Sequence, residues 1–142
     1  MPSSTTNQIV KHDYYTLSYS EKFEQSECVA YRLNAKQQIG SKFERHFLLG
    51  IKLFLINLRI GKIIKRSIYD KGHLCHAGDM KFSEAAFEAT FYTKNISLYT
   101  QEFNDGVWIT LEQKVRYWYS KHSELYIITG GFLQVGLKIV GK

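Results

Sequence analysis

Proline occurs once in 142 residues, and no tract is dominated by one or two residue types. Extended disorder is thereby excluded for the body of the chain, and only the first ten residues, which are largely polar, read as a flexible arm. Cysteine is nearly as scarce. Cys28 and Cys75 stand far apart with no CxxC spacing, so no cysteine zinc site is indicated, and two buried free thiols are expected in preference to a disulfide. The apolar stretch Phe47 to Ile60 is interrupted by Lys52, Asn57 and Arg59 and is too short to span a bilayer. The start, Met1 to Asn7, lacks a basic region followed by an apolar run, the mark of an export signal. The chain as given therefore reads as soluble with no membrane partner, while its compartment stays open. No dinucleotide-binding glycine fingerprint is present. Ser120, His122 and Glu124 cluster without the context of a hydrolase nucleophile.

What is present fits one ordinary domain with its own core: 44% hydrophobic residues, 15% of all residues aromatic, and no internal repeat or linker. A net charge of +6 suits phosphate backbones or anionic membranes as partners, and equally a merely soluble basic protein.

Local patterning predicts a mixture of strands and helices. Tyr14 to Tyr19 is rich in β-formers and reads as a short strand. Cys28 to Leu33 reads as a strand or the end of a short helix, and Asn34 to Ser41 as a loop. Phe47 to Ile64 reads as one or two strands, with a helix as the alternative. Tyr69 to Leu74 is a predicted strand. Ser83 to Phe91 is a predicted helix with Ser83 as its N-cap, followed by an extended or turning Asn95 to Ser97. Asp105 to Lys121 is the clearest helix: Val107, Leu111, Val115 and Trp118 form an apolar stripe, and Asn104 or Asp105 is the expected cap. Leu125 to Thr129 reads as a buried strand ending at Gly130-Gly131, and Phe132 to Val140 as another strand.

Chemistry concentrates in an ordered series of short strings. Asp70-Lys71-Gly72-His73-Leu74 is followed by Asp79-Met80, Phe91-Tyr92-Thr93-Lys94-Asn95-Ile96-Ser97, Phe103-Asn104-Asp105-Gly106-Val107-Trp108 and Leu111-Glu112, with Arg116 beyond. Taken singly each is weak, since a lone histidine is more often structural than catalytic. In this order, with Tyr14 to Tyr19, Glu24-Gln25 and Val29-Ala30-Tyr31 upstream, they resemble the DNA/RNA non-specific endonuclease family of the Serratia-nuclease and NucA-like type, over roughly residues 12–142.

The resemblance implies an α+β fold with a mixed or antiparallel sheet and a ββα-metal motif, two strands and then a helix that supplies the metal ligand, in a nuclease domain spanning 11–142. It implies a Mg²⁺-dependent endonuclease, with Mn²⁺ as a substitute, that hydrolyses DNA and RNA, single- or double-stranded, without regard to sequence and leaves 5′-phosphate ends. His73 matches the general base, and an imidazole titrating near neutral pH suits that task. Asn104 matches the one protein ligand of the metal; a neutral amide oxygen suits Mg²⁺, which keeps most of its waters. Glu112 matches a group that holds metal-bound water, and Arg116 one that assists at the phosphate. From spacing alone, Glu112 and Arg116 lie four apart, which favours a surface ion pair. Asn95 matches a supporting asparagine, with a turn or cap residue as the other reading. Lys71 stands where the family has arginine, so a point charge replaces a planar fork. Arg45 loosely matches a phosphate-contacting arginine. His76 stands where the family has proline and is expected to face solvent.

Two further departures are visible. Phe47 to Ile64 differs from the polar stretch expected before the motif strand, and the family's sheet continues past Gly130-Gly131 whereas this chain stops at Lys142. A second reading is therefore carried forward: a truncated, catalytically impaired relative that binds nucleic acid or another protein.

Overall fold

Alternation of large apolar and small polar residues builds the main sheet. The computed structural model describes residues 4–37 and 67–136. Strands β1 (Ile9–Lys11), β2 (Tyr15–Ser20), β3 (Gln25–Asn34) and β6 (Glu124–Gly130) form an antiparallel sheet in the order β1-β2-β3-β6. Tyr15 lies opposite Tyr31, Leu17 opposite Val29, and Leu33 opposite Leu125. Side chains alternate across a strand, so Tyr15, Leu17, Val29, Tyr31 and Leu33 reach one face together, and all are buried. Leu74, Cys75, Met80, Ala86 and Ala89 close over that face as one core. The opposite face leaves Tyr126 and Ile128 of β6 exposed.

The amino-terminal residues expected as an arm contribute β1, and Thr6 Oγ1 donates to the Tyr19 carbonyl at 2.7 Å. Both predicted strands, Tyr14 to Tyr19 and Cys28 to Leu33, are present within β2 and β3. A bulge between Ser18 and Tyr19 shifts their register. After β3 only a short 3₁₀ turn, Ala35–Gln37, is described. The stretch from Phe47 to Ile64, and Arg45, lie outside the described residues.

The second sheet is the hairpin β4 (Tyr69–His73) and β5 (Ile96–Thr100), with Asp70 opposite Tyr99 and His73 opposite Ile96. Between them run a 3₁₀ turn (Ala77–Met80), helix α1 (Glu84–Ala89) and a second 3₁₀ turn (Thr93–Asn95). Ser83 caps α1 as expected, its Oγ accepting from the Ala86 N–H at 3.1 Å.

After β5 the chain enters one helical run: α2 (Gln101–Phe103), a π-helical turn (Asn104–Trp108) and α3 (Ile109–Lys121). Backbone angles stay helical across both joints, at Phe103, Asn104, Trp108 and Ile109. The hairpin followed by this helix is the expected ββα arrangement, and the whole is the expected α+β fold with antiparallel pairing.

Three local expectations are corrected. The helix begins earlier than Asn104 or Asp105, because Thr100 is the cap and its Oγ1 accepts from the Phe103 N–H. The stripe Val107, Leu111, Val115 and Trp118 does not form the inner face: Val107, Leu111 and Trp118 are exposed. Trp108, Glu112, Val115, Arg116 and Tyr119 are turned inward to varying extents instead, because polar anchors set the phase. Glu112 and Arg116 pair with the segment after β4, and the Tyr119 hydroxyl donates to the Asn34 carbonyl. Finally, residues 131–136 form no strand, and 137–140 lie outside the described residues.

Candidate active site

The glycine of Asp70-Lys71-Gly72-His73 is explained by its neighbour. A β-carbon at position 72 would stand 2.0 Å from two ring carbons of Tyr99, so only glycine lets the ring lie across β4. Tyr99 in turn meets Phe103 and Trp108 edge-on, with centroids 5.2 Å away in each case. This aromatic cluster fixes the hairpin against the start of the helical run. Burial, and then the charge of Glu112, pushes the Tyr99 hydroxyl well above its ordinary pKa.

Asp70 and Asn104 join strand to helix directly. The Asn104 Nδ2 donates to Asp70 Oδ2 at 3.0 Å, and Asp70 Oδ1 accepts from the Lys71 N–H at 2.7 Å. A carboxylate can only accept, so the amide nitrogen must face it. The amide oxygen of Asn104 is left to another partner. Asn104 opens the π-helical turn, a rare geometry that recurs at functional sites. Asp70 had no role assigned from the sequence; its partner is 34 positions away, and no short-range pattern links them.

This donor set suits a hard divalent cation. Asn104 offers a neutral oxygen, and the carboxylate of Glu112 lies eight residues on in the same helical run. Among the described residues no group of three or more His, Cys, Asp or Glu comes together as a metal cage. An ion that keeps most of its waters needs few protein ligands, and the Asn104 amide oxygen could serve as one.

His73 ends β4, and its ring meets Phe91 edge-on at 5.1 Å with planes at 90°. Lys71 precedes it across Gly72, in register with Leu98. The backbone leaving His73 is held by Asn95. The Asn95 Oδ1 accepts from the Cys75 N–H at 2.7 Å, while its Nδ2 donates to the carbonyls of Cys75 (2.9 Å) and Thr90 (2.7 Å). Asn95 is fully buried, and its three side-chain hydrogen bonds all go to backbone groups.

Glu112 and Arg116 do share a helix face, but they are not paired with each other. His76 Nδ1 lies 2.8 Å from Glu112 Oε1, and Arg116 Nη1 lies 3.5 Å from Asp79 Oδ1. The second contact is an ion pair at a length too great for a good hydrogen bond. Asp79 Oδ2 also accepts from the Tyr31 hydroxyl at 2.9 Å. Burial raises the Asp79 carboxyl, opposed by His76, Tyr31 and Arg116. Residues three apart on the 3₁₀ turn thus meet residues four apart on α3. Gly78 makes the approach possible, since a β-carbon there would stand 2.6 Å from His76 Nε2. His76, expected to face solvent, is instead three-quarters buried against Glu112. Neither His76 nor Asp79 had a role from the sequence, and only the Asp79-Met80 string marked the region. Cys28 and Cys75 are both free; Cys75 is buried and Cys28 half-buried.

Comparison with known proteins agrees with this layout. The family model for DNA/RNA non-specific endonucleases matches residues 1–141. A nuclease of Nostoc is 27% identical over 137 residues, covering 96% of this chain and 50% of its own. The mitochondrial nuclease EXOG of Danio rerio is 35% identical over 77 residues, 54% of this chain and 22% of its own. A solved EndoG bound to EndoGI, described as showing the mechanism of EndoG inhibition, superimposes with a TM-score of 0.65 at 25% identity, over 86% of this chain and 52% of its own. The chain thus spans between about a fifth and about a half of the length of these relatives. It belongs to the DNA/RNA non-specific endonuclease family.

Proposed function

We propose that this chain carries the catalytic centre of a Mg²⁺-dependent endonuclease that cuts DNA and RNA, single- or double-stranded, leaving 5′-phosphate ends. The observation that carries this reading is the Asp70–Asn104 hydrogen bond, which commits the amide nitrogen and presents the amide oxygen. When bound there, Mg²⁺, or Mn²⁺ in its place, supplies positive charge against the negative charge that builds on the phosphate.

The remaining roles belong to side chains. His73, as the neutral imidazole, takes the proton of the attacking water. Glu112 keeps one carboxylate oxygen on His76, and its other oxygen would hold water around a cation bound by Asn104. Arg116, whose Nη1 lies 3.5 Å from Asp79 Oδ1, has five N–H donors and brings the others to phosphate. Lys71 adds a point charge where a fork would grip two oxygens. These contacts address the sugar–phosphate backbone, so sequence readout is slight.

Incubation with plasmid and with RNA, in Mg²⁺ or in EDTA, beside His73→Ala tests the reading. Cleavage of both substrates in Mg²⁺, abolished by EDTA and by the variant, is expected. Lys71 favours a second reading, an impaired relative that binds nucleic acid or protein. Intact substrates that still shift on a gel would select it.

A further inference from the structure

We infer that His76 is a positioning residue for Glu112: its Nδ1–H holds one carboxylate oxygen so that the other is aimed at the cation's water shell. The inference rests on the nuclease reading above and deepens it.

Three observations carry it. The Nδ1–Oε1 distance is 2.8 Å, and only 23% and 12% of the two side chains remain exposed, so this is a largely desolvated contact and not a surface pair. The imidazole has a place made for it, because a β-carbon at position 78 would collide with its Nε2 and Cδ2 at 2.6 and 2.9 Å. The backbone gives no other reason for histidine: position 76 sits at φ −68° and ψ 131°, an extended conformation open to most residues. The residue type is therefore set by what the ring does, and what it meets is Glu112.

A carboxylate on a helix has several staggered rotamers that aim its oxygens differently. Pinning Oε1 from the 3₁₀ turn leaves the carboxylate one orientation, as partners of metal-site groups commonly do. Asp79 and Arg116 dock the same turn on the same helix one step further along. They hold the two elements together, and His76 sets the angle of the carboxylate.

The test compares wild type, His76→Ala and His76→Asn, each also in a Glu112→Ala background. Mn²⁺ affinity is measured by calorimetry, and plasmid cleavage is resolved into kcat and KM. An asparagine Nδ2 stands close to where the histidine Nδ1 stood. His76→Ala is expected to lower Mn²⁺ affinity and kcat about tenfold with KM for DNA within twofold, and His76→Asn to recover most of both. In the Glu112→Ala background the same change should cost nothing further. A His76→Ala protein equal to wild type overturns the inference, and so does a loss that persists without Glu112. A wild type that binds Mn²⁺ but does not cut overturns the nuclease reading alone, because the affinity comparison still decides His76. A wild type that binds no Mn²⁺ overturns both.

Discussion

The ring of Tyr99 occupies the space that a side chain at position 72 would need, two of its carbons lying 2.0 Å from where a β-carbon would stand. Gly72→Ala must displace that ring, and with it the contacts to Phe103 and Trp108. Overpacking of this kind costs about 1–3 kcal/mol, and the displaced cluster is the one that sets hairpin against helix. A lower melting temperature and a loss of cleavage are expected together. Adding Tyr99→Ala to Gly72→Ala should restore part of the stability relative to the sum of the two single changes.

Asp70→Asn tests the strand-to-helix hydrogen bond. The substituted amide can donate or accept, so Asn104 is no longer obliged to present its oxygen. Mn²⁺ affinity by calorimetry is expected to fall about tenfold, in the range seen for partners of metal ligands. Stability to urea should change by less than about 1 kcal/mol, since one hydrogen bond replaces another. Unchanged affinity would remove the orienting role of Asp70.

Asn95→Ala leaves the Cys75 N–H and two carbonyls buried without partners. Unsatisfied buried groups cost about 1–3 kcal/mol each, so the variant is expected to lose at least about 3 kcal/mol in denaturant unfolding. Asn95→Asp, which keeps the accepting oxygen and loses both donated bonds, should also be destabilised, and its buried charge makes that worse at neutral pH.

Asp79 gives a pH dependence whose sign follows from its surroundings. Burial raises its carboxyl above the ordinary value of 3.8, so the folded chain binds this proton more tightly than the unfolded chain. The contribution of this group to stability is fully present below that ordinary value and is lost as pH rises through the raised one. Asp79→Asn does not titrate. Its stability relative to wild type should therefore improve as pH rises from 4 towards 7, read from urea midpoints at each pH. The opposite slope would show that His76, Tyr31 and Arg116 together outweigh burial.

Much of the scaffold was legible because its signals are local. Ser83 is a side-chain cap three residues from its donor, and β2, β3 and β6 carry clusters of β-formers, whereas β4 (Tyr-Asp-Lys-Gly-His) does not. The family was legible through the order of the strings that contain His73, Asn104, Glu112 and Arg116. The rest depends on partners distant in sequence. The stripe at Val107, Leu111, Val115 and Trp118 suggested an inner face, but Glu112 and Arg116 turn inward because His76 and Asp79 wait there. Thr100 caps the helix while Asn104, the better cap by residue type, is occupied by Asp70. Nothing in a window around His76 reveals the glutamate 36 positions away that buries it.

The three hydrogen bonds of the Asn95 amide also bear on motion. With the Leu74 N–H donating to the Asn95 carbonyl at 2.9 Å, the chain from 74 to 95 is tied end to end by one buried residue. That stretch, α1 included, is a loop whose two ends are latched by Asn95, while His76 and Asp79 dock its first turn on α3. It is expected to open as one cooperative unit, with the amides of Leu74 and Cys75 exchanging hydrogen at a common rate. The end of β4, where His73 sits, then inherits its lifetime in place from an asparagine on the far side of that loop.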